Sequence, residues 1–146
     1  MPTNATEKKE PVSLASLMTP SKTVSCEFPG FVGMTVDICY LAREELLKLR
    51  KRCLSNKWDK KTHQLTEELD EDKFLVEYCK AVIKGWKGLK YQYLEELLLV
   101  DISGLNPKDC LPYTQDNAES LMKNANDFDT WVTETVGDLE NFTRNK

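Results

Sequence analysis

Histidine is nearly missing from this chain: His63 is the only one, and it stands in a polar stretch. A histidine-based metal site or a Ser-His-Asp triad has almost no material, so His63 reads as a solvent-exposed bystander. Paired cysteines are missing too. Cys26, Cys39, Cys53, Cys79 and Cys110 are odd in number, widely spaced and without a Cys-x-x-Cys pair, which argues against a disulfide framework and a zinc site. They read as small buried apolar residues. No Gly-rich phosphate loop is present, because Gly85-x-x-Gly88 falls at an expected helix end, where a phosphate would meet carbonyls rather than N–H groups. No internal repeat occurs, and no run approaches the ~18 apolar residues of a membrane span. Val12–Met18 is too short and too broken by serines for an export signal, so a cytoplasmic protein is expected. The carboxylates Glu44-Glu45, Glu67-Glu68 and Glu95-Glu96 are sequence neighbours that diverge around an element instead of converging on a substrate. No catalytic, cofactor-binding or metal-binding residue is expected, and no enzyme.

What is present is the balance of a folded soluble protein: 146 residues, 40% hydrophobic and 30% charged, enough for one domain without staples. A net charge of −4 disfavours a general nucleic-acid binder, and Trp58 is the only aromatic near the basic residues. The charge is unevenly spread. Arg43–Lys61 is basic, whereas Asp116–Glu140 carries seven acids against Lys123 alone. The preferred reading is that the two stretches complement each other within the fold or as screened surface charge; the alternative is a basic patch offered to an acidic partner.

Residues 1–22, rich in Pro, Ser, Thr and charge, predict a flexible arm with Leu14, Leu17 and Met18 as a short anchor. Thr23–Phe28 and Thr35–Tyr40 alternate apolar and polar residues about Pro29-Gly30, which predicts a β-hairpin at about 23–40 that must lie on helices. Leu41–Leu54 takes a helical period through Ala42, Leu46, Leu49 and Cys53. Ser55–Leu69 is polar and without clean period, hence a linker. Asp70–Leu89 is the strongest helical stretch, capped by Asp70, with Phe74, Tyr78, Val82 and Trp86 along one stripe and Gly88 as a left-handed stop. Gly85 inside it suggests that another backbone packs there.

Tyr91–Val100 reads as a further helix, apolar nearly all round, and Asp101–Pro112 as a loop. Thr114 caps a helix through Ala118, Leu121, Met122 and Ala125. A last helix starts at about Asp129, capped by Asp127 or Asp129. The expected fold is mainly α: a small single-domain helical bundle over 23–146 with an N-terminal β-hairpin. Its helical period leaves apolar surface in excess at Leu98, Leu99 and Val100, and at Phe128, Trp131 and Val132. Such a surface predicts a partner site and concentration-dependent self-association.

The order of features resembles the tail assembly chaperones of long-tailed bacteriophages. The resemblance rests on the Pro29-Gly30 hairpin, Tyr40-Leu41-x-Arg43-x-Glu45-Leu46, Phe74, Tyr78 and Val82, Trp86-Lys87-Gly88-Leu89, Tyr113-Thr114-x-x-Asn117-Ala118-x-x-Leu121 and Phe128-x-x-Trp131-Val132. It covers about Thr23 to Phe142, and Gly85 before the tryptophan departs from the pattern. What the resemblance implies is a protein of the host cell cytoplasm, absent from the finished virion. It would coat the tape measure protein without catalysis, with tail tube subunits engaged through a frameshifted longer form. Trp86, Phe128 and Trp131 would then be groove residues, the competing assignment for each being plain core. A structural component of the virion tail and a small adaptor or inhibitor of a host protein are the alternatives.

Overall fold

The computed structural model describes residues 11–19 and 21–143. The expectation of a flexible arm for residues 1–10 lies outside that range. Where the arm is described, a single turn, α1 (Leu14–Leu17), buries none of its residues, and Leu14, Leu17 and Met18 are exposed rather than anchored.

The expected first hairpin forms. Strands β1 (Thr23–Glu27) and β2 (Thr35–Cys39) pair antiparallel, with Val36 and Ile38 wholly buried on the inner side. The connection is wider than a two-residue turn, and Phe31 and Met34 fold back into the core. Helix α2 (Arg43–Arg52) buries Leu49 and is followed by the buried Cys53, as its period requires.

The mainly α bundle is overturned: the molecule is mixed, 45% helix and 22% strand, with five strands in two antiparallel sheets among the described residues. Two segments account for the difference. The polar stretch read as a linker is a second hairpin, β3 (Leu54–Asp59) with β4 (Gln64–Leu69). Both strands are almost entirely solvent-exposed, so neither shows the apolar alternation by which a half-buried strand is recognised.

The strongest helical stretch is also divided. Asp70 does cap it, accepting from the Lys73 N–H at 3.1 Å, but helix α3 (Glu71–Val82) ends where strand β5 (Ile83–Lys87) begins. β5 pairs antiparallel with the free edge of β2, giving the sheet order β1-β2-β5. A register shift at Asp37/Ile38 explains why Ile83, Gly85 and Trp86 are all buried while Lys84 and Lys87 stay wet. β-branched Val82 and Ile83 followed by Gly85 are poor helix formers, and the edge of β2 supplies the hydrogen bonds a continued helix would have made internally. Gly85 lies opposite Asp37 of β2, and a Cβ there would come within 3.1 Å of the Asp37 carboxylate. Gly88 is left-handed as expected, φ +73°, but it ends a strand.

Helix α4 (Tyr91–Leu97) stops before Leu98, so the longer helix expected over Tyr91–Val100 is cut short. Thr114 caps α5 (Gln115–Asn124) through the Asn117 N–H at 3.0 Å. Helix α6 (Asn126–Gly137) begins earlier than expected, and neither Asp127 nor Asp129 caps it, since the cap residue is Ala125. A short α7 (Glu140–Thr143) buries Phe142. Helices α3 and α6 lie on β2, and α5 packs against both helices, so the core fills the space between one face of the three-stranded sheet and this helical layer.

Candidate functional site

Most of the residues singled out for partner binding are core. Phe128 and Val132 are fully buried on α6. Trp86 is 7% exposed on β5, donates its Nε1–H to the Leu111 carbonyl at 2.9 Å, and meets Tyr113 and Phe128 edge to face. These three cannot line a surface groove in this fold. Trp131 is half-buried with its ring edge against Phe28, and Leu98 and Val100 are half-buried against the same core. Leu99 alone of the seven is fully exposed. The structure therefore gathers Trp86, Phe128, Trp131 and Val132 into one aromatic and aliphatic core and leaves Leu99 apart on a loop.

The cysteines divide likewise: Cys39, Cys53 and Cys79 are buried and Cys26 is half-buried, but Cys110 is exposed, which corrects the reading of all five as buried. Burial, with a smaller contribution from the Glu119 carboxylate, pushes the Cys79 thiol up to about 12. Burial also raises the Tyr78 and Tyr113 hydroxyls above their ordinary value.

The surface feature that sequence reasoning missed is the β3–β4 hairpin. Its root is hydrogen-bonded: the Cys53 carbonyl accepts from the Asp70 N–H at 2.8 Å, tying the end of α2 to the cap of α3. Above that root the two strands pair with each other and make at most marginal contact with other elements. Its tip is a closed turn. Asp59 Oδ1 accepts from the Lys61 N–H at 2.8 Å, and His63 closes the loop at φ +56° while donating its N–H to the Asp59 carbonyl. The backbone N–H groups of Lys61 and Thr62 hold the Asp59 carboxyl below its ordinary value.

The two faces of the ribbon differ. Register places Leu54 opposite Leu69 and Trp58 opposite Leu65 on one face, with His63 edge-on to Trp58 at 6.2 Å. The other face carries Lys57 bridged to Glu68 at 3.0 Å, and Thr66 donating to the Lys57 carbonyl. Trp58 is 57% exposed and Leu65 67%, an apolar pair held in water on a projecting arm. The stretch Arg43–Lys61 holds eight cations against three acids, most of the cations on α2; the hairpin itself balances Lys57, Lys60 and Lys61 against Asp59, Glu67 and Glu68, with Glu67 on the apolar face. Lys48, Arg52 and Lys57 have carboxylate partners within their own neighbourhood. No ion pair among the described residues joins this stretch to Asp116–Glu140. A signal for the arm existed: Leu54 and Trp58, then Leu65 and Leu69, share the parity that pairs them across a turn opened by Asp59.

Among the described residues no group of His, Cys, Asp and Glu is placed to hold a metal ion, and no helix is long and apolar enough to cross a membrane. Fold and surface define a small mixed α/β protein whose distinguishing feature is an exposed hairpin set between two helices, with two lysines at its tip. The chain belongs to the YdaY prophage protein family, whose model matches residues 42–146, a span that holds the hairpin and leaves β1 and β2 outside. No curated protein and no solved structure gives a significant match.

Proposed function

We propose that this prophage protein is a tail assembly chaperone: it binds and solubilises the tape measure protein through surface contacts and without catalysis. The observation that carries the reading is the β3–β4 arm, where Trp58 and Leu65 stand in water on a ribbon with little packing of its own. An isolated two-stranded hairpin is marginal in water, and large exposed apolar side chains cost solubility, so their retention fits a surface that is covered in use. A long apolar client needs cover that can be removed again, which a hairpin of mixed charge supplies: Trp58 and Leu65 anchor, and the lysines and carboxylates around them keep the empty arm soluble. Leu99 adds a second exposed apolar contact. Membership of a prophage family agrees with this reading, as does the order of sequence features.

The test is co-expression of the tape measure protein of the same phage with and without this chain. The proposal expects the client to be soluble only when the chain is present. A client soluble alone removes the chaperone reading, and recovery of this chain at structural stoichiometry from purified virions would make it a tail component instead.

A further inference from the structure

We infer that in the absence of a client the β3–β4 arm of one molecule docks into the groove between α3 and α5 of a second copy. The inference rests on the reading of the arm as a docking surface, but it is tested without any client and can fail while client binding stands.

The groove is an open hollow of about 620 Å³ whose α3 wall is Asp72, Leu75 and Val76 and whose α5 wall includes Asp116, Glu119 and Ser120. Its floor is partly apolar, with Val76 exposed and Leu75 half-buried, and its rim is acidic apart from Lys123. The arm is the converse shape, a projecting apolar pair, Trp58 and Leu65, and although its three lysines balance Asp59, Glu67 and Glu68 overall, the unpaired Lys60 and Lys61 stand together at the tip. Neither lysine has a carboxylate within ion-pair distance among the described residues, and Asp72, Asp116 and Glu119 have no cation within that distance. Glu119 accepts from the Gln115 amide at 2.8 Å. Matched but unused charge on two separate surfaces of one chain is complementarity that a second copy can satisfy.

Two copies joined tip to tip would instead bring two sets of unpaired lysines, Lys60 and Lys61, together, which opposes that arrangement. Because arm and groove are different surfaces, the contact is heterologous, and each molecule in a pair keeps one free arm and one free groove. Successive copies can therefore add, as a ring or an open chain.

The experiment is sedimentation of the whole chain at about 0.1 M and about 1 M salt, where the Debye length falls from about 10 Å to about 3 Å. Concentration-dependent oligomers that weaken at least about tenfold at the higher salt are expected. A strict monomer, or oligomers indifferent to salt, overturns the inference. Two surface variants then separate the faces: Lys60→Glu with Lys61→Glu, and Asp116→Lys with Glu119→Lys. Each alone should be monomeric, and an equal mixture should associate because every arm then finds a groove of opposite sign. Oligomers persisting in the groove variant alone would show arm-to-arm pairing and overturn it. Should either variant fail to fold, zero-length carbodiimide cross-linking of mixed isotope-labelled and unlabelled wild-type chains reads the same contact. Intermolecular Lys60 or Lys61 links to Asp72, Asp116 or Glu119 support it, and links confined to other positions overturn it.

Discussion

Gly88 is the residue whose identity the fold demands most directly. Its φ is +73°, and a Cβ there would overlap the Gly33 carbonyl, so alanine meets both left-handed strain and a backbone that cannot yield. Gly88→Ala should destabilise by at least about 2 kcal/mol in chemical denaturation. Gly30, at φ +86° with open space around it, should cost only about 1 kcal/mol on the same change, and equal losses would contradict the packing assigned to Gly88. The cysteines give a second expectation. With its thiol pushed up to about 12, Cys79 is un-ionised at neutral pH as well as buried, whereas Cys110 is exposed. Mass spectrometry after brief alkylation of the native protein should therefore find Cys110 modified well before Cys79, and equal rates would overturn that assignment. At this scale the sequence was legible where a residue acts locally. The Asp70 and Thr114 caps and left-handed Gly88 all follow from side-chain chemistry within a few positions. Trp86 was not legible, because only the edge of β2 decides whether it sits on a helix or a strand.

At the scale of the element, the same contrast explains the two misread segments. A capped start, an apolar stripe and a glycine stop fit α3 followed by β5 as well as one long helix, since Phe74, Tyr78 and Val82 supply the period before the chain changes conformation. The β3–β4 hairpin hides for the opposite reason: it is wet on both faces, so burial never imprinted alternation on it. What specifies it is the turn, and the turn titrates. The ionised Asp59 carboxylate is favoured in the folded state by the N–H groups of Lys61 and Thr62, so its value lies below the ordinary 3.8. The stabilisation is fully present above 3.8 and is lost as the pH falls through the lower folded value. Amide exchange should show the hairpin losing protection in that acid range while the β1-β2-β5 sheet keeps its own. Asp59→Asn retains an acceptor but cannot titrate, and should abolish the acid step; a step unchanged in that variant would assign it elsewhere.

At the scale of the molecule, the fold keeps its charge segregated. The basic end, α2 with the hairpin, and the acidic stretch of α5 and α6 make no ion pair with each other among the described residues, so the balance of −4 hides two surfaces of opposite sign. Composition could reveal that segregation but not whether the surfaces meet, because that depends on tertiary placement. The core took up the aromatics that looked like a groove, and a segment that looked like a linker became the exposed arm. The central claim is therefore that Trp58 and Leu65 bind and do not build. It is tested most directly by substituting both with serine, then measuring chemical unfolding of the chain alone and the solubility of co-expressed tape measure protein. The account predicts an unfolding free energy lowered by no more than about 1 kcal/mol, the scale of one cross-strand pair, together with loss of the soluble client. A client as soluble as with the unaltered chain, or an unfolding transition that collapses, would contradict it.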